Sequence, residues 1–156
     1  MNRSRMNAIS AAVLSFVVLF GGSVGATLHE ARAEGSSASV DIGAFSVFNP
    51  SHLYLNNGTS SISASTGSVS VSAATTAVTT VDSIGITVYV QKWNGSNWET
   101  VGSGYTLGGN NASSYSNSVS KSVASGFYYR ARTIHWVIEN GTYEDGEKFT
   151  SSVLVP

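Results

Sequence analysis

Cysteine is absent from the 156-residue sequence. No disulfide can therefore stabilise the fold, which must rest on its hydrophobic core even if the protein is exported to an oxidising compartment. The same absence excludes zinc–thiolate sites, cysteine nucleophiles and a lipid-modified N-terminal cysteine.

Charge is also scarce, since Asp, Glu, Lys and Arg make up 11% of the chain. Residues 34–156 carry five basic and eight acidic side chains, a net charge of −3. No basic patch is available to neutralise phosphates, so neither nucleic acid nor an anionic membrane surface is an expected partner.

The N-terminal segment predicts a secretory signal peptide. Arg3 and Arg5 precede a short apolar run, Ala8–Phe20, and small residues follow, ending in "ARA". This three-part pattern predicts a signal peptide at residues 1–33, with cleavage after Ala26 as the alternative. The apolar run falls short of the roughly 20 residues that a stable membrane anchor needs, so we expect a secreted, extracellular protein.

Residues 34–156 suffice for one domain, which can bury about two-thirds of its unfolded surface. Residues 34–58 lack periodicity but contain Phe45, Phe48 and Tyr54, which predicts an N-terminal arm that lays these side chains on the domain. The domain itself is expected at 59–156. Its last residues, "SSVLVP", show neither a hydrophobic tail nor a sorting motif, so we expect release from the cell.

The domain is predicted to be all-β. Leucine is rare and long helix-forming runs are missing, whereas Ser, Thr, Val and Tyr favour extended chain. Short alternating runs between turn signals predict strands at 60–65, 68–77, 86–93, 98–101, 114–123, 127–139 and 148–155. The segments 102–113 and 140–147 are interpreted as a polar loop and an acidic hairpin turn. The pattern predicts a seven-stranded antiparallel sandwich.

The stretch "SVASGFYYRAR" has a more specific pattern. Its Val123, Gly126 and Tyr129 stand at the spacing of a tyrosine corner, so the chain resembles fibronectin type III and other immunoglobulin-like sandwiches. The resemblance implies that the Tyr129 hydroxyl bonds to the backbone just upstream and that Val123 packs beneath the ring. "IGITVYVQKWNGSNWETV" is similar to a central hairpin of the same fold, although the Cys–Trp–Cys pattern of true immunoglobulin domains is missing.

The overall layout also resembles an uncharacterised group of small secreted single-domain proteins of Gram-positive bacteria. Its members consist of a signal peptide, a short arm and one sandwich. This resemblance implies a location and a fold, and it implies no activity.

Strand periodicity divides the richest segment, "FYYRARTIHWVIE", into two faces. Tyr129, Ala131, Thr133 and His135 are predicted to point inward, and the residues between them outward. The outward set, together with side chains of the neighbouring strand 86–93, forms a row of aromatics and arginines typical of binding surfaces. The candidate ligand-binding residues are Tyr89, Trp93, Arg130, Arg132 and Trp136. The alternative is that these side chains only stabilise the sheet, at about 0.2–1 kcal/mol per pair.

Residue types that carry chemistry are present without the spacing that chemistry needs. His52 and His135 lack a nearby acidic cluster, so no metal site is predicted. The acidic "YEDGE" does not follow the spacing of a calcium loop, and no G-x-S-x-G motif selects a nucleophilic serine. We therefore expect no cofactor, no metal and no catalysis.

The function predicted from the sequence is that of a secreted, non-catalytic extracellular binding or interaction module. Its partner is expected to be a protein or a cell-wall glycan. The alternative is a structural protein that self-associates through an edge strand, for which the weakly alternating segment 114–123 is the candidate.

Overall fold

A computed structural model describes residues 43–156; the predicted signal peptide at 1–33 and the start of the arm lie outside the described residues. This part of the chain is all-β, with every strand pairing antiparallel. It contains no helix long and apolar enough to cross a membrane. The strands are β1 (Phe45–Val47), β2 (Leu55–Ser65), β3 (Ser68–Trp93), β4 (Trp98–Thr100), β5 (Tyr105–Ser122), β6 (Tyr128–Glu139), β7 (Thr142–Phe149) and β8 (Val153–Leu154).

The 26-residue strand β3 organises the sheet. Its first part pairs with β2 on one side, its second part pairs with β6 and β4, and β5 pairs along both parts. The main order is β1-β7-β6-β3-β2. The eight-stranded sheet curls into a half-barrel, so β2 packs across from β6 and β7.

Two regions of this one sheet need names. The serine layer consists of β2, residues 68–76 of β3 and residues 114–122 of β5. The aromatic layer consists of β1, β7, β6, residues 81–93 of β3 and residues 105–112 of β5. They meet where the β3–β5 register shifts between Thr76 and Val81.

The sequence of β3 explains why it serves both layers. Buried side chains occupy odd positions from Val69 to Val81 and even positions from Ile84 to Val90. Because successive side chains of a strand point to opposite faces, this change of phase requires an irregularity that re-aims the chain. The extra residues of the register shift lie just before that change.

The core lies inside the curl in two clusters. The larger one joins β3 to β6 and β8 and contains Val69, Val71, Ala73, Ile86, Val88, Val90, Tyr129, Ala131 and Val155. The smaller one contains Leu55, Ala77, Val81, Ile84 and Val137. Burial of an aliphatic side chain of this size stabilises a fold by about 1.5–3 kcal/mol, so these positions hold the curl closed.

The strand count differs from the prediction of seven. The segments 68–77 and 86–93, predicted as two strands, are parts of the continuous β3, and most of the predicted polar loop 102–113 belongs to β5. Residues rich in Gly and Asn form a strand here because β3 supplies pairing partners at every position from 105 to 112 except Asn111. Pairing thus outweighs their weak intrinsic β-propensity.

The predicted acidic hairpin turn was wrong. Only Asn140 and Gly141 turn the chain, both with positive φ (50° and 76°), and Thr142–Phe149 forms β7. An Asn-Gly pair suffices for a two-residue hairpin turn, so the acids that follow it belong to a strand. The predicted last strand, 148–155, is divided between the end of β7 and β8, and both pair with β6.

The segment before β6 closes one end of the core. The Tyr129 hydroxyl donates a hydrogen bond to the Ala124 carbonyl at 2.9 Å, and Val123 packs against the larger cluster. Burial raises the pKa of Tyr129, so the hydroxyl that makes this bond stays protonated. Gly126, with φ of 82°, makes the bend that brings the tyrosine back over the chain.

Candidate binding face

The outer face of the aromatic layer gathers most of the predicted site residues. The register places Tyr89 opposite Arg132 and Gly85 opposite Trp136. Residues directly opposite in an antiparallel pair share a face, so these side chains project together from β3 and β6. Trp93 lies at the far end of the same β3 strand, beside β4.

Arg130 is enclosed by its neighbours. Its Nε donates to Gln91 Oε1 at 2.8 Å, and its guanidinium lies 4.6 Å from the Trp98 ring and 4.7 Å from the Phe149 ring. Only 9% of the residue is exposed, and burial lowers its pKa. This arginine therefore acts within the sheet and presents little surface to a ligand.

Arg132 is engaged in a similar way but more openly. It forms an ion pair with Glu147 of β7, and its guanidinium lies 5.5 Å from the Tyr89 ring. About a third of its side chain is exposed, at 35%. Both predicted arginines thus have partners within the sheet, and neither offers a free cationic group.

Trp93 closes the β3–β4 hairpin. Its ring lies 5.3 Å from that of Trp98, tilted by 53°. The side chain of Asn94 accepts hydrogen bonds from the backbone N–H groups of Ser96 and Asn97, which fixes the turn between the two tryptophans. Trp93 is therefore part of a hairpin contact at the end opposite Trp136.

Trp136 is half-buried, as are Tyr89, Trp93 and Arg132. Its indole lies flat across two glycines, Gly85 of β3 and Gly108 of β5, where a Cβ would have no room. A shallow groove of about 260 Å³ lies beside the ring. This aromatic groove is lined by Thr87, Thr106, Trp136, Ile138 and Tyr143.

Two hydroxyls form the polar part of the aromatic groove. Thr87 Oγ1 and Thr106 Oγ1 are 3.0 Å apart and hydrogen-bonded to each other. Tyr143 is 55% exposed at the other side, where burial of its ring and the nearby charge of Asp145 raise its pKa. The five lining side chains are all uncharged at neutral pH.

The inward face holds His135, which is fully buried between the two layers. The Thr75 hydroxyl donates to the Gly85 carbonyl at 2.9 Å, so it accepts the bond that it shares with His135 Nδ1 at 2.9 Å. His135 Nε2 lies 3.0 Å from the Thr133 hydroxyl, which also donates to the Lys148 carbonyl at 3.3 Å. Both ring nitrogens of His135 therefore have a hydroxyl partner, one from each layer.

Burial and, to a lesser extent, the nearby charge of Lys148 lower the pKa of His135 to about 4, although a backbone hydrogen bond to Ala74 opposes the change. The ring is therefore neutral at physiological pH. Within residues 43–156, no group of three or more His, Cys, Asp or Glu side chains is placed to hold a metal ion.

Glu144 was predicted to lie in a solvated turn, and it is buried instead. Its carboxylate accepts hydrogen bonds from three consecutive backbone N–H groups, those of Leu53, Tyr54 and Leu55, at 2.7–2.9 Å. Burial alone would raise the pKa of Glu144, but these bonds and the nearby His52 together hold it below its usual value. Glu144 thus fastens the segment before β2 to β7.

The contacts that enclose the two arginines were not predicted from the sequence. Gln91, Trp98, Glu147 and Phe149 come from three different strands, and only the register brings them together. One signal was readable: the "NGSN" turn predicts the hairpin that places Trp98 opposite Trp93. The close contacts of Gly85 and Gly108 with Trp136, and of Gly58 with the His135 ring, were not predicted either.

Comparison with known protein families and with curated proteins finds no match for this chain.

Proposed function

We propose that this protein is a secreted, non-catalytic binding module whose site lies at the Trp136 end of the aromatic layer. An immunoglobulin-like sandwich arrangement is part of the proposal. It is supported by the Tyr129–Ala124 hydrogen bond and by the hairpin of β3 with β4.

The observation that carries the proposal is the contrast between the two ends of one face. At the Arg130 end, the aromatic and charged groups contact one another within the sheet. At the Trp136 end, a broad ring borders an open groove next to a pair of hydroxyls. An aromatic surface with a few placed polar groups is the usual composition of a binding site.

The proposal is tested with Trp136→Ala in a pull-down of cell-surface and culture-medium components by the secreted protein. Loss of the tryptophan is expected to abolish retention of the partner, because an aromatic anchor of this kind carries a large share of binding energy. The matched control is Phe127→Ala, which removes an aromatic that is 40% exposed and lies outside the groove.

Thermal melting of both variants separates binding from folding. If Trp136→Ala binds as the unsubstituted protein does, the site lies elsewhere. If it unfolds, Trp136→Phe, which keeps a flat ring, replaces it. If neither the unsubstituted protein nor the control retains a partner, the proposed binding function loses its basis.

Self-association is the second candidate, and one observation favours it. Among the described residues, β5 pairs only with β3, so one side of an 18-residue strand has no strand partner. Such an edge is a template for pairing with a second copy. Sedimentation velocity over a wide concentration range tests this, because a constant monomer mass at the highest concentration excludes it.

A further inference from the structure

We infer that the aromatic groove takes an uncharged sugar ring of a polysaccharide. This inference rests on the proposed function, because it names the ligand class of the same site. Three features of the groove carry it: the shape of its floor, the polarity of its two sides, and the absence of charged side chains from its lining.

The floor offers a flat apolar surface of the size of one ring. Gly85 and Gly108 let the Trp136 indole lie against the sheet, and the same indole lines the groove. The C–H face of a pyranose is also flat and apolar, and it stacks on such a platform. At about 260 Å³ the groove is smaller than the usual 300–1,000 Å³ of small-molecule pockets, which suits a single ring.

The two sides of the groove match the edge of a sugar. When one of the hydroxyls of Thr87 and Thr106 donates to the other, the pair keeps one free hydrogen and free lone pairs. A sugar hydroxyl is both donor and acceptor, so it can pair with either group. Tyr143 adds a third hydroxyl on a ring that is largely exposed.

The charges around the groove favour a neutral ligand over an anionic one. None of the five lining side chains is basic, and the two arginines of the face are engaged with Gln91 and Glu147. Asp145 lies opposite Trp136 and adds negative charge beside the groove. An acidic polymer would therefore be repelled here, and a neutral one would not.

The experiment is co-sedimentation of the purified secreted protein with two insoluble neutral polysaccharides, cellulose and chitin. The anionic arm measures retention of the protein on immobilised polygalacturonate. Retention by a neutral polymer is expected, with little change at high salt, since no ion pairs form. Trp136→Ala should lower the retained fraction at least about tenfold. Thr87→Val, which removes a hydroxyl at nearly constant shape, should lower it several-fold.

Phe127→Ala serves again as the matched control and should bind as the unsubstituted protein does. Trp136→Phe keeps the test open if the alanine variant fails to fold. Binding to neither neutral polymer overturns the inference, as does salt-sensitive binding to the anionic arm. If a protein partner is then captured in a Trp136-dependent way, the inference fails and the proposed function stands; with no such capture, both fail.

Discussion

The outer faces of the serine layer and the aromatic layer belong to one sheet and share the strand β3, yet they have opposite compositions. On the serine layer, the register aligns small side chains across three strands, all of them Ser or Thr except Asn57 and Ala74, without a single charged or aromatic residue. These positions are Asn57, Thr59, Ser61, Ser63, Ser65, Ser68, Ser70, Ser72, Ala74, Thr76, Ser114, Ser116, Ser118, Ser120 and Ser122.

The difference shows two ways in which a sheet face is stabilised. Across the serine layer, few side chains bond to each other, as Ser72 and Ser118 do at 2.7 Å, and the strands are held by backbone pairing and the core beneath. Across the aromatic layer, cation–π contacts, an ion pair and a glycine-seated tryptophan connect neighbouring strands. Substitutions on the two outer faces should therefore differ in effect.

The largest expected effect concerns His135, which bonds to Thr75 of the serine layer and to Thr133 of the aromatic layer. The unfolded chain takes up a proton on this ring below pH 6.5, whereas the folded protein does so only near its lowered pKa of about 4. Stability should therefore fall as the pH drops through this window, by about 3 kcal/mol from this group.

Urea unfolding between pH 7 and pH 4.5 measures this effect, because Glu144, with its own pKa lowered, loses its contribution only at still lower pH. His135→Gln removes the titrating ring and should flatten the dependence, whatever its absolute stability. If the stability of His135→Gln falls equally steeply with pH, the loss does not come from His135 and its contacts with the two layers.

The second-largest effect on stability is expected where the Trp136 ring contacts Gly85. In Gly85→Ala the added Cβ would fall on the Leu107 carbonyl oxygen and on the indole, so a loss of about 1–3 kcal/mol is expected. Gly109→Ala is the matched control, since its Cβ meets only the Tyr115 ring, at 3.4 Å. Chemical denaturation of both variants gives the comparison.

Equal stability of these two glycine variants would contradict the close contact between the Trp136 ring and the sheet. The aromatic layer would then lack the feature that distinguishes it most clearly from the serine layer. A shift of tryptophan fluorescence in the Gly85 variant alone would sharpen the comparison, because Trp136 is the tryptophan that contacts Gly85.

Prediction from the sequence succeeded best where apolar and polar residues alternate without interruption. The inward set of β6, Tyr129, Ala131, Thr133 and His135, is buried as strand periodicity predicts. The antiparallel all-β class follows from the same alternation. These features are local, since the period of a strand depends only on its own residues.

The features that the sequence did not foretell depend on pairing between distant residues. The Gly- and Asn-rich start of β5 has weak β-propensity and becomes a strand only through β3. Glu144 is buried because three N–H groups about 90 residues away in the sequence donate hydrogen bonds to its carboxylate. Arg130 was predicted to be open because the strands that enclose it could not be ordered from periodicity alone.

The smallest effect is expected on the serine layer, for Ser63→Thr of β2 and Ser116→Thr of β5, both exposed. Threonine keeps the hydroxyl and has the higher β-propensity, so stability should stay within about 0.5 kcal/mol or rise slightly. The midpoint of urea unfolding measures this. A marked loss of stability would mean that the added methyl groups meet a packed surface. The outer face of the serine layer would then be covered in the native protein. A null result would confine the specific outer contacts of this sheet to the aromatic layer, where the candidate site lies.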